Sequence, residues 1–121
     1  MPTSNLFMKG RFSNRQRIEH ALDAIAEIEQ YTQDQTLTEF SQDSMMRFAC
    51  IKQIEIVGEA CNHIDDSIRE AFPDIEWRNI VGLRNLLVHE YFGVDTTLVW
   101  DVITVNIPQL KSQLLLILHT L

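Results

Sequence analysis

Apolar residues recur along the chain at the three- and four-residue spacing of amphipathic helices, and no segment shows the regular alternation of a half-buried strand. A capping-box pattern, Ser-x-x-Gln, begins at Ser13 and predicts a first helix that runs to about Tyr31. After a polar connection, Asp43 or Ser41 can cap a second helix, the longest, which is predicted over about 44–71.

Two more helices are predicted in the second half of the chain. Pro73 breaks the preceding helix, and Asp74 is a suitable cap for a third helix over about 75–92. Gly93 can end that helix in the left-handed conformation. A fourth helix starts in the sequence VDTT and continues to the C-terminus, with a kink expected at Pro108.

Length and composition fit one globular domain. The chain has 121 residues, of which 45% are hydrophobic and 22% charged. Short loops between long helices favour antiparallel neighbours, so we expect an all-α, antiparallel four-helix bundle over residues 1–121, with about 1–12 as an N-terminal extension.

The sequence also indicates a compartment. It contains no apolar stretch long enough to span a membrane and no secretory signal pattern, so a cytoplasmic location is expected. Cys50 and Cys61 lie eleven positions apart in one predicted helix, too far for a bridge within it. Reduced thiols agree with the expected location.

The charge of the chain bears on its partners. A formal net charge of −7 argues against a nucleic-acid partner, because proteins that bind phosphate usually carry a basic surplus. Four basic residues are nevertheless concentrated near the N-terminus: Lys9, Arg11, Arg15 and Arg17. They are candidates for an RNA-binding patch, although a solvated helix start explains the same cluster.

Polar side chains interrupt an apolar run in the sequence GLRNLLVHEYFG, residues 82–93. Arg84 has only apolar residues three and four positions away, and a guanidinium cannot lose its proton to ease burial, so it must be paired or line a cleft. Tyr91 returns to nearly the same helix face, whereas Asn85 and His89 share a second face. Arg84 and His89 point about 140° apart, so within one helix they flank a groove rather than meet.

Two interpretations of this segment are open. In a structural role, Glu55 or Glu59 neutralises Arg84, and His89 is a core imidazole bonded to Asn85. In a functional role, a fixed cation, an imidazole oriented by Asn85 and a phenol form a site for a phosphate ester. Arginine neutralises charge that develops on phosphate oxygens, and histidine transfers protons near neutral pH.

Other classes of site have little support. The histidines at positions 20, 63, 89 and 119 lack metal-ligand spacing, and neither a Cys-x-x-Cys pair nor a glycine-rich phosphate loop is present. Glu55 and Glu59 lie one helical turn apart, but such carboxylates are more often solvated or paired than catalytic. We therefore expect neither a metal nor a bound cofactor.

The motif R-x-x-x-x-H-x-Y, from Arg84 to Tyr91, follows the block IEIVGEACN and lies within FPDIEWRNIVGLRN and HEYFGVD. In this order the blocks resemble the HepT-like branch of the HEPN superfamily, and the resemblance extends over nearly the whole chain. It implies an all-α homodimer in which the motifs of both subunits meet in one cleft. Two copies of Arg84 and His89 would then converge, which one helix does not allow.

The resemblance also implies a function: the toxin of a type VII-like toxin–antitoxin pair, a metal-independent RNase with tRNA as the favoured substrate class. Arg84 would stabilise the transition state, His89 would act as base or acid while a ribose 2′-OH attacks phosphorus, and Asn85 would orient His89 or the phosphate. A minimal nucleotidyltransferase antitoxin would use ATP to attach AMP to Tyr91. The alternatives are a non-catalytic nucleotide-binding or substrate-presenting subunit of such a nucleotidyltransferase, and a structural dimerisation bundle.

Overall fold

A computed structural model describes the backbone of residues 2–89 and 95–121 and the side chains of residues 13–83 and 95–121. Regular structure in these ranges is helical throughout, which confirms the predicted all-α class. The helices are α1 (Pro2–Thr32), α2 (Leu37–Gln42), α3 (Ser44–Asn62), α4 (Asp66–Ala71), α5 (Trp77–His89), α6 (Thr96–Asp101) and α7 (Ile107–Thr120), and a π-helical segment, Val102–Asn106, joins α6 to α7.

Four helical rods make the bundle, namely α1, α3, α5 and a C-terminal rod formed by α6, the π-helical segment and α7. Helix α3 packs on both α1 and α5, and α7 packs on α1. Lys111 Nζ lies 3.0 Å from Glu29, and Arg15 donates to the carbonyl of Leu121 at 3.2 Å, so α7 runs antiparallel to α1. No helix in the described part of the chain is long and apolar enough to cross a membrane.

The core is built from branched aliphatic side chains at helical spacing on three of the rods. Its largest fully buried members include Ile18, Ile25 and Ile28 on α1, Ile51, Ile54 and Val57 on α3, and Leu114 and Ile117 on α7. Each contributes about 1.5–3 kcal/mol by leaving water. Phe40 on α2 is also fully buried, and its ring centroid lies 5.0 Å from that of Trp100 on α6, which attaches the short helix α2 to the bundle.

The predicted second helix over 44–71 is wrong, because two helices occupy this range. Helix α3 ends at Asn62, and α4 begins at Asp66 after a turn. Asn14 on α1, which is buried, holds the turn from both sides: its Nδ2 donates to Asp65 Oδ2 at 3.0 Å, and its Oδ1 accepts from the Asp65 N–H at 3.0 Å. The broken backbone is therefore stabilised by a side chain from another helix.

Arg69 of α4 joins the end of α3 to the start of α5. Its Nη2 donates to the carbonyls of Cys61 and Asn62 at 2.9 and 3.1 Å, which satisfies oxygens that the end of a helix leaves without partners. The guanidinium carbon lies 5.7 Å from the centroid of the Trp77 ring, whose Nε1 donates to the carbonyl of Phe72 at 3.1 Å. The start of α5 thus adjoins the end of α3, and the two helices run antiparallel.

Two predicted helix starts are wrong. Helix α1 runs through Ser13 from Pro2, so Ser13 does not cap it, and residues 2–12 continue this helix. Helix α5 begins at Trp77, whose N–H donates to the carbonyl of Ile75 at 2.8 Å, so Asp74 lies in the turn before the helix and is not its cap. The predicted end of this helix at Phe92 and Gly93 lies outside the described residues.

For the polar connection between α1 and α3, the structure agrees with what the sequence predicted. The turn expected around residues 38–40 is the short helix α2, which starts with a capping box formed by Thr36 and Glu39. Asp43 caps α3 as predicted, because its Oδ1 accepts from the Met46 N–H at 3.0 Å.

The C-terminal rod starts as predicted but is irregular in its middle. Asp95 Oδ1 accepts from the N–H groups of Thr97 and Leu98 at 3.0 and 3.3 Å and caps α6. The Ile107 N–H bonds to the carbonyl of Val102, one residue further back than in an α-helix. Pro108 follows directly in the first turn of α7 and has no N–H for the helical ladder, so the disturbance expected at the proline takes the form of a π-helical segment before it.

Replacement of the buried amide on α1 should destabilise the protein. Asn14→Leu keeps the branched shape of the side chain but leaves the backbone N–H of Asp65 without its acceptor, at a cost of about 1–3 kcal/mol. Urea unfolding followed by circular dichroism measures the loss. Gln16→Leu, at an exposed position on the same helix, is the matched control. Equal midpoints for the two variants would show that Asn14 does not hold the turn.

Candidate active site

The described backbone carries three of the four motif residues on α5. Arg84, Asn85 and His89 all lie within this helix, as predicted, and their side chains are outside the described set. Tyr91 lies outside the described residues. The roles of these four residues therefore stay predictions. The described residues around α5 show what lies near the motif.

The contacts of Arg69 with the end of α3 and the start of α5 determine which part of α3 lies alongside the motif. They bring Cys61 beside Trp77, and both helices rise about 1.5 Å per residue in opposite directions. Glu55 is six residues back from Cys61, and Arg84 is seven residues on from Trp77. The two positions are therefore at nearly the same level, about 10 Å from the junction.

Glu55 has an unusual environment for a carboxylate. Its side chain is only 15% exposed, and Lys52 Nζ lies 3.8 Å from Oε2. Oε1 is buried and has no hydrogen-bond partner among the described residues. A buried carboxylate oxygen without a donor is costly, so this position on α3 is suited to a cation. Neutralisation of Arg84 by Glu55, one of the two open interpretations, stays a prediction.

The two glutamates of α3 have different partners. Glu59 Oε1 lies 2.9 Å from Nε2 of His63 on the exposed side of the helix, whereas Glu55 approaches Lys52. The two carboxylates therefore have separate partners, which does not favour a catalytic dyad.

Gly82, two residues before Arg84 on α5, has free space beside it among the described residues. Gly82, Asn85 and His89 follow each other at spacings of three and four residues and so share one face of the helix. A Cβ atom built on Gly82 would meet no heavy atom of the described residues within 4 Å. At the level of Gly82 the helix therefore has room for a ligand or for a second subunit.

A groove of about 320 Å³ lies between the first turns of α5 and the C-terminal rod. Its apolar lining consists of Ile80, Leu83, Leu98, Val102 and Leu110. Its polar lining consists of Asp74, Glu76, Asn79, Asn106, Gln109 and Gln113. Sequence reasoning missed this groove because its two walls are separated along the chain and neither wall has a motif of its own.

The basic N-terminal cluster is not one uniform patch. Arg15 is partly exposed and donates to Glu19 Oε1 at 3.4 Å as well as to the carbonyl of Leu121, so it links α1 to α7. Arg17 is exposed. Lys9 and Arg11 lie on the backbone of α1, and their side chains are outside the described set. Binding of RNA by these residues stays a prediction.

Comparison with known proteins identifies the family. The family model Ribonuclease HepT-like matches residues 21–117, from the middle of α1 into the last turns of α7. The chain belongs to the Ribonuclease HepT-like family. This confirms the resemblance of its motif and flanking blocks, and it supports a ribonuclease activity. The four basic residues of the N-terminal cluster precede the matched range.

Curated relatives bear similar names. "Putative RNase MJ1380" of Methanocaldococcus jannaschii is 38% identical over 92 residues, which cover 76% of this chain and 84% of that protein. "Probable ribonuclease HepT" of Thermococcus cleftensis is 35% identical over 101 residues, 84% of this chain and 92% of that protein. No solved structure matches the chain significantly.

The two cysteines of this HepT-like chain are poorly suited to catalysis. Cys50 and Cys61 are free and fully buried, as expected for reduced thiols. Burial raises the pKa of Cys50 to about 11 and that of Cys61 to about 12, the latter opposed in part by Arg69. Both thiols are therefore protonated at neutral pH and are poor nucleophiles. Among the side chains in the described ranges, no three His, Cys, Asp or Glu groups come together as metal ligands.

The thiols should resist alkylation in the folded protein. With pKa values of about 11 and 12, Cys50 and Cys61 carry little thiolate at pH 8, so iodoacetamide should label Cys50 on the order of 100-fold and Cys61 on the order of 1,000-fold more slowly than free cysteine. Labelling should accelerate as the pH rises towards these pKa values, and it should be fast in concentrated urea at pH 8. Mass spectrometry of quenched samples gives the rates. Rapid stoichiometric labelling of the native protein at pH 8 would contradict the buried, protonated state.

Proposed function

We propose that this chain is the RNase toxin of a toxin–antitoxin pair, which acts in the cytoplasm as a homodimer and without a metal ion. The observation that supports it best is the placement of Arg84, Asn85 and His89 on α5 within the range matched by the HepT-like family model. The names of the curated relatives, which include RNase or ribonuclease HepT, point the same way.

The proposed reaction is an attack within the RNA strand. His89 accepts the proton of a ribose 2′-OH, whose oxygen forms a bond to the adjacent phosphorus while the bond to the 5′-oxygen of the next nucleotide breaks. A protonated His89 donates to that leaving oxygen, so the products are a 2′,3′-cyclic phosphate and a 5′-OH end. Arg84 neutralises the charge that develops on the phosphate oxygens, and Asn85 fixes the tautomer of the imidazole.

A second subunit explains how these groups act together. Arg84 and His89 point about 140° apart on an ideal helix, so one copy of α5 does not bring both to one phosphate. A two-fold axis beside the free space at Gly82 would let two copies of α5 approach and pool their motifs. The two cations of Arg84 would also make the cleft basic on a chain whose net charge is −7.

Tyr91 is the proposed point of control. Seven residues after Arg84, it would return to nearly the same face if the helix continued to it. A minimal nucleotidyltransferase antitoxin would transfer AMP from ATP to its phenol oxygen and release pyrophosphate. The added phosphate and adenosine would then occupy the position of the RNA phosphate beside Arg84 and block cleavage. A tRNA is the proposed substrate class, by resemblance to the family.

A second candidate function is a non-catalytic subunit that binds a nucleotide or presents a substrate to the nucleotidyltransferase. The buried Oε1 of Glu55 favours it to a degree, because a permanent ion pair between Glu55 and Arg84 would leave the guanidinium less available to a phosphate. Incubation of the purified protein with total tRNA and EDTA separates the two functions. Products with 2′,3′-cyclic phosphate ends support the RNase, and intact tRNA supports the non-catalytic subunit.

Removal of either proposed catalytic group should abolish RNA cleavage. Arg84→Ala and His89→Ala each remove an interaction made mainly in the transition state, so we expect the cleavage rate to fall at least about 100-fold. Expression of either variant should also no longer arrest growth. Denaturing gels of tRNA digests measure the rate, and Arg78→Ala, an exposed arginine on the same helix, is the matched control. A folded Arg84→Ala or His89→Ala variant with full activity would remove that residue from the mechanism.

Tyr91→Phe should separate cleavage from control. The variant lacks the phenol oxygen that accepts AMP, so it should cleave RNA at the wild-type rate and resist the antitoxin with ATP. Intact-mass spectrometry after incubation with both should show the mass of AMP on the wild type only, and Tyr31→Phe is the control for a tyrosine elsewhere. An AMP adduct of unchanged yield on Tyr91→Phe would assign the modification to another residue.

A further inference from the structure

The groove between α5 and the C-terminal rod has walls of two kinds. Its floor is aliphatic and includes Ile80, Leu83 and Val102, of which Ile80 and Val102 are buried. Its polar groups are four carboxamides and two carboxylates, and none of the described side chains in its lining is cationic. Its volume of about 320 Å³ is at the lower end of the roughly 300–1,000 Å³ typical of small-molecule sites.

This lining excludes one part of a nucleotide and suits another. Asp74 and Glu76 repel a phosphate, and the described lining supplies no cation to offset them. A nucleobase is uncharged and planar, so its faces can lie on the aliphatic floor. The carboxamides of Asn106 and Gln109 can both donate and accept, as the edges of bases do. The lining is therefore complementary to a base and not to a phosphate.

The carboxylates add a preference among bases. Glu76 Oε2 already accepts from Asn79 Nδ2 at 3.1 Å, which holds the amide in one orientation and leaves its oxygen as an acceptor. Acceptors at the acidic end of the groove suit the exocyclic amino groups of adenine, cytosine and guanine. Uracil has no exocyclic amino group, and its single N3–H donor lies between two carbonyl oxygens, which these acceptors repel.

The groove is close to the motif along the same helix. Ile80 lies in the groove, and Arg84 follows four residues later on the same face, about 6 Å along the axis. The sugar of a single nucleotide can bridge this separation. On the opposite wall, Val102 and Asn106 belong to the π-helical segment, a type of irregularity that occurs frequently at functional sites.

We propose that this groove is a base-binding subsite, which holds the nucleobase next to the scissile phosphate and selects bases that carry an exocyclic amino group over uracil. The proposal rests on the proposed RNase function, since it takes Arg84 as the phosphate site. Glu76 and Asn79 are then specificity-determining residues for the cleavage reaction.

Binding of nucleosides to the intact protein tests the subsite without the chemistry. In ¹⁵N-correlated NMR spectra, adenosine and cytidine should shift the amide signals of groove residues such as Leu83 and Leu110, and each should bind about tenfold more tightly than uridine. Ribose 5-phosphate, which has no base, should cause no shift there. Asn79→Trp, at an exposed position, should fill the groove and abolish the shifts, with its fold checked by thermal unfolding.

Cleavage of RNAs that differ only in the base beside the cut tests the preference. Glu76→Gln replaces a carboxylate oxygen with a donor and should reduce discrimination against uracil, measured as a smaller difference in KM between the RNAs. Glu70→Gln, which changes an exposed glutamate on α4, should leave the discrimination unchanged. A wild-type preference that survives both Glu76→Gln and Asn79→Trp would overturn the proposal.

The two proposals fail in different ways. Cleavage without base preference, combined with no nucleoside shifts in the groove, overturns the subsite and leaves the RNase function standing. Selective nucleoside shifts in the groove of a protein that cleaves no RNA support the subsite chemistry and overturn the RNase function. Analytical ultracentrifugation shows whether Asn79→Trp still forms a dimer. If the variant is monomeric and the wild type shows no nucleoside shifts, the groove is a contact between two copies of this chain and the subsite is overturned.

Discussion

The position of the motif helix depends on Arg69. Its guanidinium occupies the carbonyl end of α3 and lies over the ring of Trp77, the first residue of α5, so one side chain ends one helix and locates the next. The levels of the later residues of α5 relative to α3 follow from this contact, because an α-helix advances by a constant rise. The level of Arg84 relative to Glu55 follows from this junction, whereas the distance from Arg84 to the groove follows from the rise of α5 itself.

In the proposed RNase, the motif and the groove would bind differently charged parts of the RNA. An acidic chain must capture a polyanion with a few local cations, which Arg84 and its symmetry mate would provide in the proposed dimer. The groove, lined by carboxamides and carboxylates, would hold the uncharged part of the nucleotide. Separation of the two functions along one helix allows base preference to change without loss of the phosphate site.

The sequence predicted those features that depend on neighbouring residues. The apolar spacing predicted an all-α bundle, and the cap at Asp43 was among the candidates because such a cap bonds to a backbone N–H within three residues. The break after α3 was not, since it depends on Asn14, 51 positions away from Asp65. The motif helix was found from Arg84 to His89, whereas the groove, formed by walls distant in sequence, has no local pattern.

The π-helical segment has a consequence for length variation in this family. A π turn contains one residue more than an α turn, so the C-terminal rod accommodates an additional residue between its two ends. Val99 before the segment and Leu114 after it are both buried. A relative that lacks one residue between 102 and 106 can keep both ends of the rod in the core. It would then place a different side chain at the position of Asn106. Single-residue insertion and deletion is thus a route by which the wall of the groove can diverge while the bundle stays intact.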